Sequence, residues 1–331
     1  MESTTENPYY DYSDMYDAIP IQICEREELR HFVSTYITPS YYLMFILSFI
    51  GNGLITLILV KWEKFHSVTN IFILNLVISN IFFSSTLPFM AVYQSSAWIF
   101  GNIMCKMTNT FFFIGFQSFA AFLTLMTIDQ YLIVVHSWSS SSRGRISYAL
   151  YMSIIVWSVS IFSSIPDIIL YTESDQMGNK VCEVNNTTDN HWWLLLAHYK
   201  HFVLFFLVPL FIIITCYFRI VLKLTTCNIR RKTTVLKLIF SIVILFILCW
   251  TPYNIIMFVM FQKQTFIECH SFLPYIFSVC QSIVYFHCCL NPVLYAFLGT
   301  KFRKYLCSCA KNCLPRTPQQ NDLSLRTSLG L

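Results

Sequence analysis

Two residues bracket the longest apolar run of the chain: Cys105 at its head and a lone acid, Asp129, near its foot. A thiol forms disulfides on an oxidising side of a membrane, and a carboxylate in apolar surroundings needs a cation or hydrogen-bond donors. At about 1.5 Å per helical residue, the roughly 24 steps between them cover about 36 Å, slightly more than the about 30 Å of a bilayer's hydrocarbon. One group therefore falls at each water interface, with Phe111, Phe112, Phe113, Phe116, Phe119 and Phe122 between them. Catalysis inside such a chain would require paired acids, a metal cluster or an activated nucleophile. Asp129 reads as the only clearly intramembrane acid, His287 has no acid near it in sequence, and no C-x-x-C pair occurs. No enzyme activity, cofactor or metal is expected.

The elements that position these groups follow from composition. Of 331 residues, 56% are hydrophobic and 12% charged, whereas a soluble domain carries about 25% charged residues. Apolar windows run Tyr41 to Val60, Val68 to Tyr93, Cys105 to Val135, Ile146 to Ile165, Phe202 to Phe218, Leu238 to Phe261 and Phe272 to Leu298. Each supplies the roughly 20 residues of a spanning helix, and the about 10-residue alternating segments of a β-barrel are absent. The expected fold is an all-α membrane protein, a seven-transmembrane helix bundle followed by a short amphipathic helix. Residues 1–38 read as an acidic, tyrosine-rich tail, 39–299 as the bundle, and 300–331 as the amphipathic helix and C-terminal tail.

Orientation follows the basic bias of short loops. Lys61 and Lys64, Arg143 and Arg145, Lys223, Arg230, Arg231 and Lys232, and Lys301, Arg303, Lys304 and Lys311 follow alternate spans, which puts them all on the cytoplasmic side. The net charge of +5 is thus a topology signal, and no nucleic-acid partner is expected. The first 20 residues lack the apolar core of a cleaved signal peptide, so the tail is expected to stay attached and extracellular. Thirteen cysteines are present, and Cys24, Cys105, Cys182 and Cys269 fall in the outward segments, where their three possible pairings stay open. Both Asn185 and Asn186 satisfy the glycosylation rule.

The tail interleaves aromatics with acids as Tyr9, Tyr10, Asp11, Tyr12, Ser13, Asp14, Met15, Tyr16 and Asp17. A solvated tail has this composition, and so does an anionic strip that draws in a basic protein, more so if its tyrosines are sulfated. Within the spans, Asn52, Asn75 and Asn80 are costly in lipid unless they face partners. Pro88, Pro209, Pro252 and Pro292 are expected to kink the second, fifth, sixth and seventh spans. Lys301 to Leu306 could lie along the inner surface, with Cys307, Cys309 and Cys313 open to palmitoylation. A polar-solute transporter or channel, with Asn52, Asn80, Asn291 and His287 lining a path, is the competing class, but no internal repeat supports it.

Over about residues 24 to 306 the chain resembles the rhodopsin-like (class A) G-protein-coupled receptors and, within them, the chemokine receptors. The broad likeness rests on Asn52, Trp157, Pro209, Tyr217, Cys249-Trp250-Thr251-Pro252 and Asn291-Pro292-Val293-Leu294-Tyr295. The narrower one rests on Thr86-Leu87-Pro88, Trp98-Ile99-Phe100-Gly101 and His287-Cys288-Cys289-Leu290-Asn291-Pro292, with CC-like and XC-like phrasing in Thr69 to Asn75 and Pro252-Tyr253-Asn254. This resemblance implies the pairings Cys105 to Cys182 and Cys24 to Cys269. It also implies a plasma-membrane receptor that grips a basic chemokine with its acidic tail and admits the chemokine's N-terminus between the helices. Met90, Phe112, Tyr253 and Gln281, with Trp98 at the rim, carry over as ligand-binding positions. At the other face the implied partners are a heterotrimeric G protein and arrestin, and the switch positions are Asn80, Asp129, Gln130, Tyr131, Tyr217, Trp250, Pro252, Asn291, Pro292 and Tyr295.

Three departures modify that expectation. Gln130 stands where the family's Asp-Arg-Tyr has arginine, Asn80 where it has an aspartate, and Gln281 where many chemokine receptors have a glutamate. Glutamine lacks the planar five-donor fork of arginine, so the resting lock and the G-protein contact are both expected to be altered. The alternatives are a non-signalling scavenger or decoy and a receptor active without ligand, since loss of inactive-state charges narrows the gap between states. Divergence of this kind also fits a virus-encoded homologue.

Overall fold

A computed structural model describes residues 31–63, 67–136, 142–176, 178–184, 191–227, 233–262 and 272–298. Tyr9 to Asp17, Cys24, Cys269, Asn185, Asn186 and the stretch from Lys301 onward lie outside these residues. Seven helices are long and apolar enough to cross a membrane: α1 Val33–Lys61, α2 Val68–Ser95, α3 Gly101–Val135, α4 Gly144–Leu170, α5 Trp192–Thr226, α6 Val235–Gln262 and α7 Leu273–Phe297. Between α4 and α5 an antiparallel hairpin, β1 Tyr171–Gln176 and β2 Asn179–Val184, pairs Tyr171 with Val184 and Glu173 with Cys182. Gly178, at φ +85°, takes a backbone conformation costly for other residues, and Asp175 accepts its N–H at 2.9 Å.

The bundle is organised around α3. In its most apolar stretch 78% of residues are buried, against 28% in α1, so α3 runs through the middle while α1 turns much of its surface outward. Outward residues such as Leu43, Ile50, Phe211 and Leu248 are apolar, as a lipid-facing surface requires. The interior contains the expected amides, each satisfied across helices. Asn52 donates to the Cys288 carbonyl at 3.3 Å and accepts from Asn80 at 3.4 Å. Asn75 donates to Ser153 at 3.0 Å and accepts from the Trp157 indole at 2.8 Å, joining α2 to α4.

The helix ends correct the sequence reading at two places. α4 continues past Ile165 to Leu170, and α5 begins at Trp192, ten residues before Phe202, although His198, Lys200 and His201 break its apolar pattern. Lys200 and His201 are tolerated because Asp167 of α4 pairs with both, so Asp129 is not the sole carboxylate in the spans. Helix continuity differs among the prolines. α2 is interrupted between Ser84 and Leu87 before Pro88, where the Thr86 hydroxyl bonds the Phe83 carbonyl at 2.8 Å and lies 3.1 Å from the Tyr285 hydroxyl. α4 is interrupted at Ser164 before Pro166, and a π-helical stretch Lys200–Leu207 precedes Pro209. α6 and α7 run unbroken through Pro252 and Pro292.

Candidate functional site

At one end of α3, Cys105 is bonded to Cys182 of β2, with their Cα atoms 5.6 Å apart. The hairpin is held down further by Trp98, whose backbone N–H donates to the Lys180 carbonyl at 2.8 Å and whose indole donates to the Gly101 carbonyl at 2.9 Å. Asn102 accepts from the Glu173 N–H at 3.1 Å, so the start of α3 meets β1 as well. Trp98 is 0% exposed, packed against Tyr93, Phe100 and the disulfide. Its place is therefore as the post on which the rim is built, and its ring offers no surface to a ligand.

Below the hairpin lies a cavity of about 360 Å³. Phe112, Phe113 and Phe116 of α3, Tyr171 of β1, Phe202 of α5, Tyr253 of α6 and Phe277 of α7 give it aromatic walls, and Asp167, His198, His201 and Asn254 add polar groups. Of the positions expected from sequence, Phe112 and Tyr253 line it. Met90 packs against the main core, and Gln281 is half-buried on α7; neither is part of the lining. Behind Phe116 of the lining stands Trp250, stacked on it at 4.2 Å and within 6.5 Å of the rings of Phe83, Phe112, Tyr253 and His287. Through Phe116 and Trp250 the lining is thus continuous with an aromatic stack that extends to His287 of α7.

Sequence reasoning missed Asp167, Lys200 and His201. Lys200 meets Asp167 Oδ2 at 2.9 Å, and His201 Nε2 meets Oδ1 at 2.9 Å; the lysine and aspartate side chains are 6% and 2% exposed. Lys200 also donates to the Ser163 carbonyl, Gln117 lies 3.3 Å from His201 Nδ1, and Ser163 bonds Gln117. Residues adjacent on an α-helix diverge by roughly 100°. The wider i→i+5 turn that starts at Lys200 turns less per residue, so neighbouring side chains reach one carboxylate. The available signal was Asp167 right after Pro166 with a Lys-His pair beyond the loop, and a rule that charge ends a span hides it.

At the far end of α3, Asp129 is 2% exposed and paired with Arg145 of α4 at 2.8 Å, while Gln130 reaches its other oxygen at 3.5 Å. The acid therefore has a cation although the adjacent arginine is missing. Tyr131 bonds His136 at 3.1 Å, Tyr217 packs on Phe240, and Tyr295 is buried in the core. Asn80 spans to Asn52, and both the amide atoms of Asn291 and the ring nitrogens of His287 are buried with no hydrogen-bond partner among the described residues. Polar groups thus lie deep within the bundle, Asn52 and Asn80 joining α1 to α2 and His287 of α7 set among Phe119, Phe246 and Trp250 of α3 and α6.

The described residues thus form a seven-helix membrane bundle with a disulfide-roofed aromatic cavity at one end and a paired acid at the foot of its third helix. The family model described as "7 transmembrane receptor (rhodopsin family)" matches residues 51–295. The chain is 33% identical over 316 residues to the C-C chemokine receptor type 4 of Homo sapiens, covering 94% of this chain and 88% of that one. The chain belongs to the rhodopsin-like seven-transmembrane receptors and, within them, to the chemokine receptors.

Proposed function

We propose that this protein is a plasma-membrane receptor, N-terminus outside, that captures a basic chemokine. Its three parts are the extracellular tail 1–38, the bundle 39–299 and a cytoplasmic segment 300–331. The tail from Tyr9 to Asp17 draws the ligand by long-range charge, and Cys24 paired with Cys269 holds that tail beside the bundle mouth, where Met90 and Gln281 meet the incoming ligand. The ligand's N-terminal segment then enters the cavity against Phe112 and Tyr253. Glycosylation at Asn185 or Asn186 belongs to the same outer side. The observation that carries this reading is the hairpin pinned by Cys105–Cys182 over an aromatic cavity continuous with Trp250.

Signalling to a heterotrimeric G protein or arrestin follows from the other end. Gln130 gives a G-protein tail no guanidinium to bind, while Asp129 is held by Arg145, which ties α3 to α4. That pairing favours capture with weak G-protein activation over activity without ligand, because the resting acid keeps its cation. A chemokine panel on intact cells, scored for both uptake and G-protein activation, tests this. Uptake with little activation is expected; binding of none of the panel, or full activation, would overturn the reading.

A further inference from the structure

We propose that the cavity receives the ligand's N-terminal ammonium in an aromatic cage, with the hydroxyls of Tyr171 and Tyr253 as its hydrogen-bond acceptors and no free carboxylate involved. The proposal rests on the reading of the cavity as the ligand site and names the chemistry that site reads. At about 360 Å³ the cavity lies at the small end for ligand pockets, room for one charged end and a compact side chain. Among the described residues Asp167 is the one acid in its lining, and both oxygens are held at 2.9 Å, Oδ2 by Lys200 and Oδ1 by His201. It therefore does not close on a ligand cation as an unpaired acid would. Lys200 is not part of the lining, so of that ion pair the negative member is the one on the wall.

The face of an aromatic ring carries the negative side of its quadrupole and attracts a cation, most strongly where water is excluded. Phe113 and Phe116 each present one face to another ring, stacked on His201 at 4.0 Å and on Trp250 at 4.2 Å. Among the described residues Tyr171, Tyr253 and Phe277 are in no such stack: Tyr171 is tilted 45° to Phe113, and Tyr253 is tilted 33° to Phe277 at 5.9 Å. An ammonium also brings N–H donors that lose water on entry and need acceptors. The hydroxyls of Tyr171 and Tyr253 have no hydrogen-bond partner among the described residues, so their lone pairs are open to those donors. One acceptor stands on β1 and the other on α6, so a bound ammonium links the hairpin pinned by Cys105–Cys182 to the sixth helix.

The test uses the purified full chain in lipid nanodiscs and two isosteric probes at neutral pH, 2-phenylethylammonium and 2-phenylethanol. Unfolding midpoints followed against probe concentration give the two dissociation constants. The ammonium should bind about tenfold more tightly than the alcohol. Tyr171→Phe combined with Tyr253→Phe keeps both rings and removes both hydroxyls, and should cut that preference to about threefold, because hydrogen bonds to a charged donor are the stronger ones. Met257→Trp, which fills the space, should abolish the shifts from both probes. Equal affinities or a tighter alcohol in the unaltered chain, binding of neither probe, an unchanged preference in the double variant, or shifts that survive Met257→Trp would each overturn the proposal. The comparison in the unaltered chain stands even if a variant does not fold. A chemokine panel that fails on cells overturns the proposed function instead, since neither probe is a chemokine.

Discussion

Asp129 and Asp167 are both about 2% exposed, and each is paired with a basic side chain of a neighbouring helix. Removing one partner of such a pair costs more than removing both, because the survivor is left buried and uncompensated. Asp167→Ala should therefore lower stability by about 3–5 kcal/mol. The double change Asp167→Leu with Lys200→Met should recover most of that loss in thermal unfolding. At the foot of α3, Arg145 is 23% exposed but its partner Asp129 only 2%, so Arg145→Ala leaves a buried acid without its cation and should also cost about 3–5 kcal/mol. Gln130→Arg supplies a fixed five-donor fork beside Asp129. It should raise G-protein activation per bound chemokine by about tenfold, the worth of one charge-assisted hydrogen bond; an unchanged ratio would mean position 130 is not where coupling fails.

Between elements, approach distance decides what the sequence can hold. A Cβ at Gly115 would lie 2.7 Å from the Phe83 Cβ and 2.9 Å from the Ser79 carbonyl, so α2 and α3 touch there through backbone. Gly115→Ala should force those helices apart at a cost of about 1–3 kcal/mol, read as lost surface expression and a lower unfolding midpoint. Gly53 sits in α1 with open space where a Cβ would stand, nothing lying within 4 Å of it, and Gly53→Ala should stabilise by about 0.5–1 kcal/mol. Two glycines in apolar helices, indistinguishable as letters, are predicted to respond with opposite sign. The breaks before Pro88 and Pro166 follow from proline's missing N–H, whereas the unbroken α6 and α7 show that neighbouring helices can carry Pro252 and Pro292 through.

For the whole molecule, the disulfide joins the central helix to the hairpin across a separation of 77 residues. Replacing Cys105 and Cys182 together by serine should destabilise by about 2–4 kcal/mol. It should reduce chemokine capture further than that loss alone explains, because the cavity roof is freed; equal losses in surface level and capture would argue against the roof's role. Capture should also weaken as salt rises from low to physiological strength, where the screening length shortens to about 8 Å, if the acidic tail sets the approach. An epitope placed before Tyr9 should be stained on unpermeabilised cells.

The sequence by itself determined the seven spans, the amides that join them, and the two reactive ends of α3, because apolar length and unsatisfied polarity in lipid are properties of a segment taken alone. It also carried the family likeness in Trp98, Trp250 and the Asn291-Pro292 turn. What only the tertiary structure decided was which charges cancel. Asp167 with Lys200 and His201, and Asp129 with Arg145, lie 33, 34 and 16 residues apart. No local pattern links an acid to a base on another helix, so the start of α5 and the polarity of the cavity wall stayed hidden until the helices were set side by side.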